Sequence, residues 1–340
     1  MTGAGLQTEI VPLETAPDVT NWEQVVKAAG SPVFYATRFL KSIATAPLLA
    51  VDSASLLLLR DRTGIVAGVP VFLQNRIDPL HHLAELYAQV PDLPTSNGLL
   101  GHCWHCYDSQ IVALRRNNYD VRPLIDAFRA LARTVGADYF GLVNVADPYT
   151  LNAMASSGLT PQYMVDRYVM EIETFSSFDD YIAALHPDSR RELRRQFRRY
   201  RESSAAVTVE SAPFRDLDEV ALLCRRTAAR YQAEFYYPGE QTQALLENMG
   251  DVLRLISVRL GGERIGVVIC FFDPPRFHVW AAGMRYDRTA FSPYAIGITE
   301  AIRFAIANGF KIIEGGRGNG RIKKKQGFLP LRLHACLQRP

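Results

Sequence analysis

From residue 32 onward the chain alternates amphipathic stretches with short apolar runs, the pattern of a mixed α/β protein. Residues 33–44 place Phe34, Phe39, Leu40 and Ile43 on one helical face. Apolar runs at 55–60 and 65–73 predict two strands joined by a turn at 61–64. Residues 81–113 predict strand and loop, broken by Pro91, Pro94, Gly98 and Gly101. A helix over 123–135 starts at a proline, a strand follows at 138–145, a helix at 147–156 stops at Gly158, and another strand covers 164–172. The second half opens on helices at 177–185 and 189–201, separated by His186 and Pro187. Strand 207–210, helices 217–232 and 241–249, and strands 252–260, 264–272 and 277–286 come next. Ser292 caps a helix with Pro293 in its first turn, which runs to Ala307 and ends at Asn308 and Gly309. Strand 311–314, a glycine-rich loop and strand 331–338 complete the chain.

The two halves echo each other. Residues 55–73 and 253–272 are both hydrophobic hairpins with a glycine shortly after the turn, Gly68 and Gly266. Each is followed by more strand, a helix and a short buried strand, at 136–145 and 309–316.

A length of 340 residues suits two domains. Apolar residues make up 48% and charged residues 21%, a globular balance, and a net charge of +3 does not by itself mark a nucleic-acid binder. Five cysteines make a disulfide framework unexpected. No apolar run approaches the ~18 residues that span a bilayer, and no basic segment precedes an apolar core near the first residue. A cytoplasmic enzyme without membrane insertion is expected, with a loose N-terminus over residues 1–20 that holds Pro12 and Pro17.

Charge is unevenly spread. At 100° per residue, Arg190, Arg191, Arg194, Arg195, Arg198, Arg199 and Arg201 cover about half of the 189–201 helix, while Leu193, Phe197 and Tyr200 share the other side. Only Asp188, Glu192 and Glu202 offset this face nearby, so it repels itself unless an anion lies against it. Phosphate fits, because guanidinium forks bind it bidentately. Arg317, Arg321, Lys323, Lys324 and Lys325 form a second basic cluster. A solvated basic face is the plainer account of such runs.

The segment 314–334 carries a glycine-rich loop (Gly315 to Gly320, with Arg317), then Lys323, Gly327, Phe328 and Pro330. It resembles the closing segment of bacterial FemABX-like proteins and related N-acyltransferases of the GNAT superfamily. The Arg-rich stretch 187–201 and the helix region 290–310 are similar to elements of the same families. Together these cover about the last 150 residues; the first half matches loosely. The resemblance implies tandem GNAT-like domains: an α/β fold of mixed sheets flanked by helices, with a flexible N-terminus at 1–20, a first domain at 21–173, and a second at 174–340 with its basic helix at 188–201. It also implies amide-bond formation on an amine, with an aminoacyl-tRNA or acyl-CoA donor, and places Lys323 in a cleft where a cation could steady the oxyanion or the leaving 3′-oxygen.

Acyl transfer from an already activated ester or thioester needs alignment, proton removal and oxyanion stabilisation, but no covalent nucleophile. A standard acetyl-CoA site has a Gln/Arg-x-x-Gly-x-Gly/Ala turn before its pyrophosphate-binding helix. Residues 286–297 lack the glycine pair and Pro293 removes one amide; residues 115–126 lack the motif too. With the basic clusters, this favours aminoacyl-tRNA as donor, and an amine acceptor that is a small natural product, a peptide or a cell-wall precursor. The same fold using acyl-CoA, and a non-catalytic tRNA- or anion-binding protein, are the alternatives. Candidate bases are His278 and Glu234, with Asp287 and Glu300 behind them; a lone strand histidine is commonly a satisfied core group. Arg190, Arg191, Arg194, Arg195, Arg198, Arg317, Arg321, Lys324 and Lys325 are candidate donor-binding cations, and Tyr236 and Tyr237 candidate acceptor-pocket residues. The run 101–106 has Cys103 and Cys106 at C-x-x-C spacing with His102 and His105, yet no second ligand pair follows, so no metal or resident cofactor is expected.

Overall fold

The computed structural model describes residues 5–14, 20–114, 119–287 and 289–340. The chain divides into two compact units: Met1–Val165 with Arg332–Pro340, and Asp166–Leu331. The division therefore falls before the expected 173/174 boundary, and the last residues return to the first unit. A strand at Gln162–Glu171 runs through the division, so no loop marks it in the sequence.

Unit 1 contains strands β1 (Gln7–Pro12), β2 (Val51–Asp61), β3 (Gly64–Gln74), β4 (Gly98–Gly101), β5 (Val112–Ala113) and β6 (Tyr139–Val145). Its helices are α1 (Thr20–Ala28), α2 (Thr37–Thr45), α3 (Arg122–Thr134) and α4 (Pro148–Ser156). The strand β7 (Gln162–Glu171), the helices α5 (Phe178–Ala184) and α6 (Pro187–Arg201), and then strand β8 (Ala205–Glu210) follow. Next come α7 (Leu217–Ala229), α8 (Gly239–Met249), β9 (Leu253–Leu260), β10 (Glu263–Asp273) and β11 (Arg276–Met284). The chain finishes with α9 (Pro293–Ala307), β12 (Ile312–Arg317), α10 (Gly320–Lys325) and β13 (Leu329–Gln338).

The expected repeat is present as topology. In unit 1 the strands lie in the order β1-β2-β3-β4-β6-β13, with β4 and β6 parallel and the other neighbours antiparallel. In unit 2 the order is β8-β9-β10-β11-β12-β7, again with one parallel pair, β11 and β12. A helix, α3 or α9, connects the two parallel strands in each case, as a parallel pair requires. The two echoing hairpins are β2–β3 and β9–β10. Their glycines sit where a neighbour presses on the strand: a Cβ on Gly68 would meet Trp22 at 2.8 Å, and one on Gly266 the Met284 sulfur at 2.7 Å.

Each unit has its own core. Leu57, Val69, Phe128, Phe140, Leu142 and Met154 are central in unit 1. In unit 2, Met170, Tyr181, Ile256, Val268, Phe277 and Ile302 pack with Phe328. Helix starts follow the local chemistry: Asp147, Ser177 and Ser292 accept the N–H of the third residue beyond them.

Three expectations change. Part of the expected loose N-terminus is strand β1, paired with the leucine-rich β2 at Ile10↔Leu57; residues 1–4 and 15–19 lie outside the described residues. Helix α1 follows, burying Trp22, Val25 and Val26, with the Trp22 indole donating to Tyr35 O at 2.9 Å. Third, the stretch after the glycine-rich loop is helix α10 rather than loop, too short to show a period.

Candidate active site in the second unit

Helix α6 is amphipathic as its sequence demands. Leu193 is buried in the unit 2 core, Phe197 packs beside it, and Tyr200 lies edge-on to Phe291 at 5.6 Å. The guanidinium face divides. Arg190 donates to Ala183 O at 3.1 Å and Arg199 to Ala290 O at 3.0 Å. Arg191 lies 3.7 Å from Asp188, and Arg195 donates to Glu192 at 2.7 Å. Arg194, Arg198 and Arg201 have no ion pair among the described residues, and all three are exposed. The long apolar stripe thus anchors the helix, and three of its charges face water.

A cavity of about 690 Å³ opens between α6, the start of α9 and α10. Arg195, Arg321 and Lys325 line it, with Glu192 as the opposing charge. The two basic clusters of the sequence therefore meet here, through one residue of the first and two of the second. Hydrogen bonds from Arg195 and from the Gln196 amide hold the Glu192 carboxyl below its usual range, helped by the nearby Lys325 charge. Gln196 in turn accepts the Ser292 N–H at 2.7 Å, and Ser292 Oγ accepts the Ala295 N–H at 3.2 Å. These two amides at the start of α9 are thus already engaged by side chains. The corresponding first-half segment falls partly on residues 115–118, outside the described residues, as does Arg288 in the second.

Lys323 sits on the inward side of α10. It is 5% exposed, and its Nζ donates to Gly316 O at 3.2 Å and Arg317 O at 2.9 Å, while lying 5.5 Å from the Tyr168 ring. Burial, with the Arg317 charge second, lowers its pKa to about 7. The short helix can sit this close because residue 320 is glycine: a Cβ there would come within 1.9 Å of the Tyr168 hydroxyl. Phe328, 2% exposed, plugs the core just beyond the helix, worth about 2–3 kcal/mol of apolar burial. Lys323 thereby ties the glycine-rich loop to α10 with two of its three N–H donors. Lys324 is exposed, and neither it nor Lys323 lines the cavity, although the resemblance places Lys323 in a cleft.

Other expected site residues lie elsewhere in unit 2. Arg317 donates to the Tyr236 hydroxyl at 3.0 Å, and Tyr236, Tyr237 and Trp280 stack edge to face in sequence at 5.2 and 5.8 Å. Burial raises the Tyr237 hydroxyl well above its ordinary value. His278 is fully buried, with Nε2 3.2 Å from Asp273 Oδ1, and Arg276 donates to the same carboxylate at 2.8 Å. The histidine is a buried polar contact of the sheet and not a lining residue of the cavity. Glu234 is exposed and also absent from the lining. Glu300 pairs with Arg303 at 3.1 Å. In unit 1, His102 has both ring nitrogens in use: Nε2 lies 3.0 Å from Phe34 O, and Nδ1 accepts the Cys103 N–H at 2.9 Å. Burial drives its pKa down to about 3, and the imidazole has no lone pair left for a metal.

Sequence reasoning passed over two features. Glu314, the first residue of the glycine-rich segment, is buried 3.6 Å from Arg167 of β7. Gln326 lines the cavity while 5% exposed; it was hidden because a glutamine between a lysine run and a glycine has no distinctive spacing.

A family model described as an acetyltransferase (GNAT) domain matches residues 187–324, the stretch that holds α6, most of the cavity lining and Lys323. No curated protein matches the sequence significantly. Among solved structures, FemX aligns over 94% of this chain and 96% of its own at TM-score 0.63 and 11% identity. A tandem GNAT protein from the clavulanic acid biosynthesis pathway aligns over 98% of both chains at TM-score 0.57 and 10% identity. L-PGS from Bacillus licheniformis aligns over 95% of this chain and 92% of its own at TM-score 0.58 and 9% identity. Among the described residues no helix is long and apolar enough to cross a membrane. Residues 187–324, in the second unit, thus match a GNAT acetyltransferase domain, and the chain as a whole shares the tandem GNAT fold of these structures.

Proposed function

We propose that this protein is an amide-bond-forming N-acyltransferase that takes an aminoacyl group from aminoacyl-tRNA and transfers it to the amine of a small-molecule or peptide acceptor in the cytoplasm. The observation that carries the reading is the cavity of about 690 Å³ lined by Arg195, Arg321 and Lys325. Three cations against one carboxylate favour a phosphate-bearing donor, and an RNA end supplies phosphate beside its reactive ester. The two engaged amides at the start of α9 weigh against a pyrophosphate held there by backbone N–H groups alone.

In the reaction, the acceptor nitrogen attacks the ester carbonyl carbon and an N–C bond forms. The C–O bond to the ribose oxygen breaks. The nitrogen gives up one proton and the departing oxygen gains one, so no resident cofactor is needed. Lys323 is buried and outside the cavity lining, so its part would be to position: its ammonium, charged below about pH 7, holds the Gly316 and Arg317 carbonyls and seats α10, which carries Arg321 and Lys325 into the cavity.

The rival donor is an acyl-CoA thioester, favoured by the likeness to a tandem GNAT protein whose description mentions AcCoA. The test supplies purified protein with an amine panel and either charged tRNA or acetyl-CoA. RNase-sensitive transfer of labelled amino acid supports the proposal. Amine-dependent release of free thiol, with no transfer from tRNA, assigns the cavity to the thioester instead.

A further inference from the structure

Within the cavity, Glu192, Arg195 and Gln196 of the α6 wall are engaged: Arg195 and Gln196 donate to Glu192, and Gln196 accepts from Ser292. Gln326 differs. Its Nε2 donates to Thr299 Oγ1 at 3.4 Å, while its buried Oε1 has no hydrogen-bond partner among the described residues. The amide cannot simply be turned round. Thr299 spends its hydroxyl proton on Ala295 O at 2.7 Å, so toward Gln326 it can only accept. The backbone is pinned as well, because Gln326 O accepts the Tyr181 hydroxyl at 3.1 Å. A buried acceptor left without a donor costs about 1–3 kcal/mol, and this one belongs to a residue that lines a cationic cavity.

We propose that Gln326 Oε1 is the recognition acceptor of this cavity, and that its ligand is a nucleotide: a phosphate for Arg195, Arg321 and Lys325, joined to a base or sugar whose N–H or O–H group donates to Gln326. The proposal rests on the donor reading above and sharpens it. The terminal adenosine of a tRNA and the adenosine phosphate of CoA share this chemistry. Inorganic phosphate and simple acyl phosphates lack it. Thr299 is a positioning residue that holds the Gln326 amide with its oxygen free.

The experiment measures binding of inorganic phosphate, AMP, CoA and a CCA-ended RNA minihelix to the full chain by calorimetry, for wild type, Gln326→Met, Thr299→Val and Arg195→Glu. Methionine is close to glutamine in length and volume, so the core around α10 is retained. AMP is expected to bind more tightly than phosphate to wild type. Gln326→Met should weaken AMP by roughly five- to tenfold, the loss of one hydrogen bond, and leave phosphate unchanged. Thr299→Val should reproduce part of that loss. Arg195→Glu should weaken both ligands. Whether the minihelix or CoA shows the larger Gln326 effect distinguishes the two sources. If AMP and phosphate bind but Gln326→Met lowers neither, or lowers both equally, the Gln326 proposal is overturned while the anionic site stands. If wild type binds none of the four, both fall.

Discussion

Lys323 is a base held almost out of water by its own loop, and that fixes how it should respond to pH. Its folded pKa is depressed to about 7 from 10.5. The folded protein thus loses this charge as pH rises through 7, whereas the unfolded chain keeps it until 10.5. If the charged ammonium seats α10 for transfer, kcat/KM should fall with an apparent pKa near 7 as pH rises. Lys323→Arg should shift or remove this limb, and Lys323→Ala should lower kcat/KM by at least tenfold. A pH profile unchanged in Lys323→Ala would remove the residue from the chemistry. His102 is the stability counterpart in unit 1. Its pKa is depressed to about 3 from 6.5, so above pH 6.5 both states are neutral and burial costs no charge. As pH falls below 6.5 the unfolded chain takes up a proton that the folded one does not, and stability is lost down to about pH 3. Chemical denaturation of wild type and His102→Asn between pH 7 and 4 should show this slope only in wild type. Asparagine suits the site because residue 102 has φ 88°.

At the scale of elements, α6 and α10 make the claim. Arg195 lines the cavity, whereas Arg194 and Arg198 are exposed and do not. Charge reversal at Arg195 with Arg321 should therefore weaken RNA binding by an order of magnitude or more and flatten its salt dependence. Reversal at Arg194 with Arg198 should act more weakly, through the general field alone; equal effects would mean the whole face binds without using the cavity. Gly320→Ala should prevent α10 from seating on Tyr168 and abolish transfer while far-UV circular dichroism stays native; full transfer would show that the seat is dispensable.

Much of this was legible in the chain. The hairpins, the capped helix at Ser292 and the amphipathic α6 each announce themselves through a period or a cap, signals that local physics writes over several residues. Strand β1, helix α10 and Gln326 did not. The strand is short and its own residues are mostly exposed, the helix spans little more than one turn, and an unpartnered amide exists only once Thr299 and Ala295 are in place. For His278 the sequence shows a histidine on a strand but not the Asp273 carboxylate that it faces.

The whole molecule repeats one αβ arrangement twice, each copy with a single parallel strand pair bridged by a helix, and has placed its concentrated positive charge in the second. A net charge of +3 over 340 residues hides that asymmetry. Long-range attraction to RNA is accordingly modest, and donor recognition must come from contacts inside the cavity, which are less screened by salt than surface charges. The central claim is that this charge serves an RNA-borne aminoacyl ester. The most direct measurement follows a radiolabelled amino acid from a charged tRNA mixture into amine acceptors, with and without prior RNase treatment, beside the same assay with acetyl-CoA. The account predicts labelled amide that disappears with RNase and with Arg195→Glu/Arg321→Glu; transfer from acetyl-CoA alone, indifferent to RNase, would contradict it.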